Sequence, residues 1–161
     1  MSLEVKVRGL MIDPVSQMPI IILKNDLGDQ VLPIWVGIFE ANAIAMELEK
    51  IVSPRPMTHD LLKNVIEELS GGMEKVVVTD LRDNTFYALI HIRGKDGAIT
   101  VDARPSDAIA LALRGGVPIH IEERVMVQSS AAGEDSAAEE AERLRRWLEK
   151  LDPEELGHYE M

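Results

Sequence analysis

The sequence predicts an α+β fold, with largely antiparallel sheet of about six to eight strands, three packed helices and a further C-terminal helix. Two observations carry this. Strand-length apolar runs follow one another through turn residues as hairpins and meanders, and each meander is followed by a segment whose apolar residues recur at helical spacing. With 161 residues, 46% of them hydrophobic, the chain can bury one substantial core. The main domain is expected over residues 1–128, a Ser/Ala/Gly/Glu linker over 129–136, and an acidic helical tail over 137–161.

Val5 and Val7 alternate with Glu4, Lys6 and Arg8, which predicts a strand with one wet face. Ile20 to Leu23 is continuously apolar, as in a strand covered on both faces, and the turn Asn25-Asp26-Leu27-Gly28-Asp29 returns the chain into a strand over Val31 to Val36. From Glu40 to Val52, Ala41, Ile44, Ala45, Leu48, Ile51 and Val52 share one helical face. Ser53-Pro54-Arg55-Pro56 stops that helix. Thr58 is expected to cap the next one, with Leu61, Leu62, Val65, Ile66 and Leu69 as its buried stripe and Gly71-Gly72 as its end.

A second meander follows over Val76–Leu81, Phe86–Arg93 and Ala98–Asp102, its turns at Asp83-Asn84 and Asp96-Gly97. Pro105-Ser106 opens a short helix over Asp107–Arg114 that is apolar nearly all round, and Pro118–Ile121 reads as a last strand. A shift of 65 positions lays Ala43-Ile44-Ala45-Met46 on Ala108-Ile109-Ala110-Leu111, with a meander before each, which suggests an internal βββα-type duplication. In the tail, Leu144, Trp147, Leu148 and Leu151 form a stripe that suits packing on this chain, on a second copy or on a partner.

Charge narrows the range of functions. Of the net charge of −11, the first 128 residues carry −5, from 13 basic against 18 acidic residues. The rest carry −6, from 4 against 10. A diffuse basic surface for nucleic acid is excluded, so any such contact must be local or metal-bridged. The absence of cysteine excludes disulfides and thiolate metal sites and suits a reducing cytoplasm. No apolar run is long enough to span a membrane, and the first residues show no basic-then-apolar signal pattern.

Phosphate-cradling glycine loops, zinc spacings and nucleophile elbows are also missing. The polar residues at element junctions remain: Glu40, the run Arg55-Pro56-Met57-Thr58-His59-Asp60, and the run Asp102-Ala103-Arg104-Pro105-Ser106-Asp107. Each can be read structurally. Thr58 and Ser106 suit helix caps, Asp60 and Asp107 suit first turns where the helix dipole favours a carboxylate, and Arg55 and Arg104 can pair with those carboxylates. Read together, gathered carboxylates can hold Mg²⁺ or Mn²⁺, arginine can neutralise phosphate, and histidine can move a proton.

Leu32-Pro33-Ile34-Trp35-Val36-Gly37 with Glu40-Ala41, Arg55 through Leu61, Phe86-Tyr87-Ala88 and Asp102 through Ala112 resemble, in order and spacing, the motifs of the bifunctional nuclease domain family over about residues 1–128. The resemblance implies a compact α+β domain found in bacteria and plants and credited with cleaving both RNA and DNA. It implies that Glu40, Arg55, His59, Asp60, Asp102, Arg104 and Asp107 are this sequence's versions of the family's polar motif residues. By their chemistry Glu40, His59, Asp60, Asp102 and Asp107 are the catalytic candidates, with Asp102 and Asp107 expected to bind metal together with Glu40 or Asp60, His59 to transfer a proton, and Arg55 and Arg104 to hold phosphate. The expected activity is a phosphodiesterase of low sequence specificity, divalent-metal-assisted and homodimeric, with RNA and DNA as substrates. The rival reading is a non-catalytic module whose polar cluster binds a small anion or a partner protein. The acidity and the scarcity of aromatics favour it: base stacking needs aromatic platforms, and the main domain has few, Trp35, Phe86 and Tyr87 among them.

Overall fold

A computed structural model describes residues 1–131 and position 146. The remainder of the expected linker and the acidic tail, with the stripe at Leu144, Trp147, Leu148 and Leu151, lies outside the described residues. The elements are β1 Ser2–Ile12, β2 Pro19–Asn25, β3 Val31–Trp35, α1 Ile38–Leu48, α2 Thr58–Glu68, β4 Gly72–Arg82, β5 Thr85–Gly94, β6 Gly97–Ala103, α3 Pro105–Gly115, β7 Ile119–Glu122 and α4 Glu123–Ala131.

The seven strands form one sheet in the order β3-β2-β1-β7-β4-β5-β6. Every pairing is antiparallel except that of β7 with β4. The fold is therefore two βββα units, β1–β3 with α1 and β4–β6 with α3, joined edge to edge through β7. This is the duplication that the sequence shift suggested. The β4–β5 link is two residues long, and both, Asp83 (φ 50) and Asn84 (φ 59), take the left-handed conformation that such a hairpin requires and that Asp and Asn tolerate.

The core sits between the sheet and the helices. Ile21 and Leu23 of β2 point into it with Leu32, Ile34, Ile44, Val76, Val78, Ile90, Ile109 and Ile121, while Ile20 and Ile22 are buried on the opposite face. The uninterrupted apolar run of β2 is thus covered on both sides. In α3, Ala108 to Ala112 are all buried, and small residues there and at Ala41 and Ala45 of α1 let the two helices approach closely.

The helix ends depart from expectation in an instructive way. α1 stops at Leu48 rather than Val52, because Lys50 turns left-handed (φ 55) and the Ile51 N–H donates to the Met46 carbonyl at 2.8 Å. α2 closes in the same way on Ser70 (φ 64) and the Gly71 N–H to Ile66 O bond at 2.8 Å, and α3 on Gly116 (φ 64). Gly71 and Gly72 do not form the left-handed stop expected of them; they follow it and lead into β4. A Cβ at Gly71 would meet the Ile66 carbonyl at 3.0 Å. Since Ser70 holds a conformation costly for an L side chain, Ser70→Gly is expected to raise stability by about 0.5 kcal/mol once glycine's larger unfolded-state entropy is offset. Urea denaturation checks it.

The buried stripe expected on α2 is corrected. Leu61, Leu62, Val65 and Leu69 are 55, 43, 44 and 75% exposed, and from that stripe only Ile66 packs on the core. α2 lies along α3 and reaches the sheet chiefly at β4, so the face pressed inward is narrow and includes His59. Helical spacing reports an apolar face; it does not report what covers it. α4 was not anticipated: Val125 and Met126 anchor it in the core, an apolar pair too short to show a period, and its last residues, 129–131, fall where the linker was expected.

Candidate functional site

Three helices begin close to one another. α1, α2 and α3 are each entered from an extended residue, Gly37, Met57 and Arg104, and neither Gly37 nor Arg104 supplies a side-chain cap. Pro105 occupies the first helical position of α3, where its missing N–H costs nothing. Ser106 therefore stands second in the helix and Thr58 first in α2, so neither is the capping residue expected. In α2 the end is satisfied from inside the helix, by Asp60 Oδ2 accepting the Met57 N–H at 3.0 Å.

From these starts, side chains remote in sequence meet. His59 Nε2 lies 2.9 Å from Asp107 Oδ1. Asp107 Oδ2 accepts from Arg104 Nε at 2.9 Å, and Arg104 Nη2 donates to Glu40 Oε1 at 2.7 Å. The result is one chain, His59–Asp107–Arg104–Glu40, running across α2, α3 and α1. Glu40 folds back over the N-cap of its own helix, so a Cβ at Gly37 would collide with its carboxylate. His59 is 8% exposed, yet among the described residues its Nδ1 makes no hydrogen bond and no buried side-chain polar atom lacks a partner, so Nδ1 retains contact with solvent.

Partial burial acts to raise the Asp107 carboxyl, but hydrogen bonds from His59 and Arg104 and the guanidinium charge outweigh it and hold the group below its usual 3.8. Hydrogen bonds to Asp107 and then Glu40 push Arg104 upward.

Asp60 belongs to a neighbouring cluster. Its Oδ1 accepts from Arg114 Nε at 2.7 Å, and the same guanidinium donates to the carbonyls of Ala110 and Ala43, both at 3.0 Å. The Met57 amide chiefly lowers the Asp60 carboxyl, burial opposes it, and Arg114 lowers it further. Arg114 is the residue that sequence reasoning missed. A basic residue in the last turn of α3 suits the helix dipole, and nothing local signals that its guanidinium is buried against α1 and α2.

Two candidates stand apart. Asp102 is exposed on β6, an edge strand, and pairs across from Leu89, while its neighbours Val101 and Ala103 oppose Ile90 and Ala88 of the core face. Strand alternation thus directs Asp102 to the sheet face opposite the helices. Arg55 is exposed in the α1–α2 connection and has no ion-pair partner among the described residues. Among the described residues no group of three or more His, Asp or Glu side chains is arranged to hold a metal ion. The Asp102–Asp107 pair expected to do so is divided by the sheet, and both Asp107 oxygens are engaged by His59 and Arg104. This arrangement does not fit a divalent ion held by those two aspartates.

Acid should loosen this assembly. Asp60 and Asp107 titrate below 3.8 in the folded chain, so between their folded values and 3.8 the unfolded chain binds more protons. Stability is expected to be complete above about pH 4 and to fall as pH drops through the folded values. Denaturant titrations from pH 2 to 6 check it, with Asp107→Asn showing the shallower acid decline.

Beside Arg104 a cleft of about 250 Å³ opens between the two βββα units, lined by Trp35 and Gly37 from the first and Phe86, Arg104 and Ser106 from the second.

Residues 21–134 match the family model described as the bifunctional nuclease domain. The chain is 38% identical over 162 aligned residues, 95% of its length and 97% of the relative's, to an uncharacterized protein of Mycobacterium tuberculosis strain H37Rv. It is 28% identical over 116 residues to Bifunctional nuclease 1 of Oryza sativa subsp. japonica and, to the same extent, to Bifunctional nuclease of Oryza minuta. Those two matches cover 70% of this chain and 35% of each plant protein.

Proposed function

Because the chain belongs to the bifunctional nuclease domain family, we propose that it hydrolyses phosphodiester bonds of RNA and DNA with low sequence specificity, at the junction of α1, α2 and α3. The observation that carries this reading is the His59–Asp107 pair tied to Arg104. An ionised Asp107 accepting from Nε2 fixes a proton there and leaves Nδ1 as the free base. Nδ1 would take a proton from water, or from a ribose 2′-hydroxyl, as the nucleophile attacks phosphorus; the P–O bond to the leaving sugar oxygen breaks, the 5′-oxygen where the 2′-hydroxyl attacks, and that oxygen takes up a proton from solvent water. Arg104 uses one N–H on each carboxylate; its remaining donors are free to meet a phosphate oxygen, and Glu40 fixes its plane. Asp60 and Arg114 hold the start of α2 so that His59 stays in place. No step is assigned to Mg²⁺ or Mn²⁺, to Asp102 or to Arg55.

The test uses labelled single-stranded RNA and DNA with Mg²⁺, with Mn²⁺ and with chelator, beside the Asp107→Asn and Asp102→Asn variants. Cleavage lost in Asp107→Asn and kept in Asp102→Asn supports the reading. Cleavage undiminished in a folded Asp107→Asn variant contradicts it. A second reading draws on the engagement of both Glu40 and Asp107 by Arg104, which also describes a lock between helices: a non-catalytic module binding a small anion or a partner. Absence of cleavage under every metal condition would favour that reading.

The functional unit is proposed to be a homodimer. β6 is an open edge whose residues are all exposed except Ala103, and it carries no Lys, Arg or Pro to discourage pairing. Ile99 and Val101 on β6, with Leu61, Leu62, Val65 and Leu69 on α2, offer on the order of 500 Å² of apolar surface, within reach of the roughly 800 Å² per partner of a stable interface once polar neighbours are included. Sedimentation should show a dimer that Val101→Lys dissociates; a wild-type monomer at tens of micromolar would rule it out.

A further inference from the structure

The cleft beside Arg104 is not used by the proton transfer described above, and its composition is unusual for this chain. It gathers two of the main domain's four aromatic residues, Trp35, which is 44% exposed, and Phe86, which is half-buried against the edge of the core. The Trp35 indole is held: its Nε1 donates to Asp13 Oδ2 at 2.9 Å, across from the turn after β1. At the other wall, Ser106 is only 5% exposed; among the described residues its hydroxyl makes no hydrogen bond and is not sealed from solvent, so it is free to meet a ligand that enters the cleft. It stands in the first turn of an 11-residue helix whose N-terminus has no side-chain cap and whose N–H groups favour an anion.

We propose that this cleft binds one unpaired nucleotide of a single strand, the base stacking against Trp35 and Phe86 and the adjoining phosphate meeting the Ser106 hydroxyl, the first turn of α3 and the spare donors of Arg104. This deepens the nuclease reading and rests on it for the substrate class. A volume of about 250 Å³ lies just below the roughly 300 Å³ lower bound of small-ligand pockets, enough for a single nucleotide unit and far too narrow for a duplex. Stacking on aromatic rings tolerates any base, which accords with low sequence specificity. It also answers the charge problem: in a chain of net charge −11 the affinity comes from the base face and a few local donors, not from a basic surface.

The experiment is a binding titration in chelator, performed on the full chain carrying Trp147→Phe so that Trp35 is the sole tryptophan. Four probes at equal total phosphate concentration are compared: a thymidine octamer, an adenosine octamer, an abasic octamer and a blunt, fully paired duplex. Both base-bearing single strands should quench Trp35 emission, and the abasic strand and the duplex should bind at least 10-fold more weakly with little quenching. Trp35→Ala, read by anisotropy of a labelled strand, should lower octamer affinity about 10-fold or more, and Trp35→Phe should restore most of it. Ser106→Ala should weaken octamer binding several-fold without lowering thermal stability. Equal affinity for abasic and base-bearing strands, or unaltered octamer binding by a folded Trp35→Ala variant, overturns the subsite. Cleavage is scored separately. Base-dependent binding without turnover would retain the subsite and refute the nuclease, whereas turnover with Trp35 silent would do the reverse.

Discussion

Arg114→Ala is expected to destabilise the chain by about 3–5 kcal/mol, the largest loss of any single substitution outside the apolar core. The guanidinium side chain is 5% exposed and serves three acceptors at once, the Asp60 carboxylate and the carbonyls of Ala110 and Ala43. Its removal leaves the Asp60 carboxylate without its charged donor and the Ala43 and Ala110 carbonyls without their second one, and it empties the space between α1, α2 and α3 that the guanidinium fills. Lysine does not replace it, because three acceptors in different directions need a fork of donors, not a point charge. Arg114→Lys should therefore recover less than half of the loss. Asp60→Asn should cost less than Arg114→Ala, since the Asn carbonyl can still accept from one of Met57 and Arg114, while its amide nitrogen is left facing the other donor. Guanidinium denaturation, with slopes compared to exclude a change in the unfolded state, measures all three. A loss below about 1 kcal/mol for Arg114→Ala would mean that the three helices do not depend on this contact.

His59→Ala is expected to lower phosphodiester cleavage by about 10²–10⁴-fold, the usual contribution of a positioned acid–base group. Asp107→Asn should give a loss of similar size by a different route: it can donate to the ring, so the fixed tautomer is no longer assured. Both variants should remain folded, because α2 is still tied to α3 through Asp60 and Arg114. Arg104→Lys should keep the positive charge but lose the two-pronged contact to Asp107 and Glu40, and activity should fall at the level of phosphate binding. Single-turnover rates on a labelled RNA, with circular dichroism to confirm folding, decide each.

The strands and turns were legible in the sequence because their signals are local. The unbroken Ile20–Leu23 run marked a doubly covered strand, and Asp83-Asn84 marked a hairpin that only left-handed residues close. The clustering of Glu40, His59, Arg104 and Asp107 was legible as a set of polar residues at helix starts, and the fold brings those starts together. The errors arise where the outcome depends on a neighbour remote in sequence. Asp102 and Asp107 are five residues apart, yet the last two residues of β6 decide their sides: Asp102 falls on the outer face, and Ala103 turns the chain inward to α3. Arg55 lies beside Asp60 in sequence, but the carboxylate is taken by Arg114, 54 positions away. The α2 stripe is apolar as read, and what covers it is not encoded in its own periodicity.

The central claim is that His59 and Asp107 act as one catalytic unit, and a double-mutant cycle on cleavage tests it most directly. Rates are measured for His59→Ala, Asp107→Asn and the pair combined, on the same single-stranded substrate. If the two side chains form a unit, the double variant is no slower than the worse single variant, because each substitution alone already disables the base. Losses that multiply would show that the two residues contribute independently and would contradict the account.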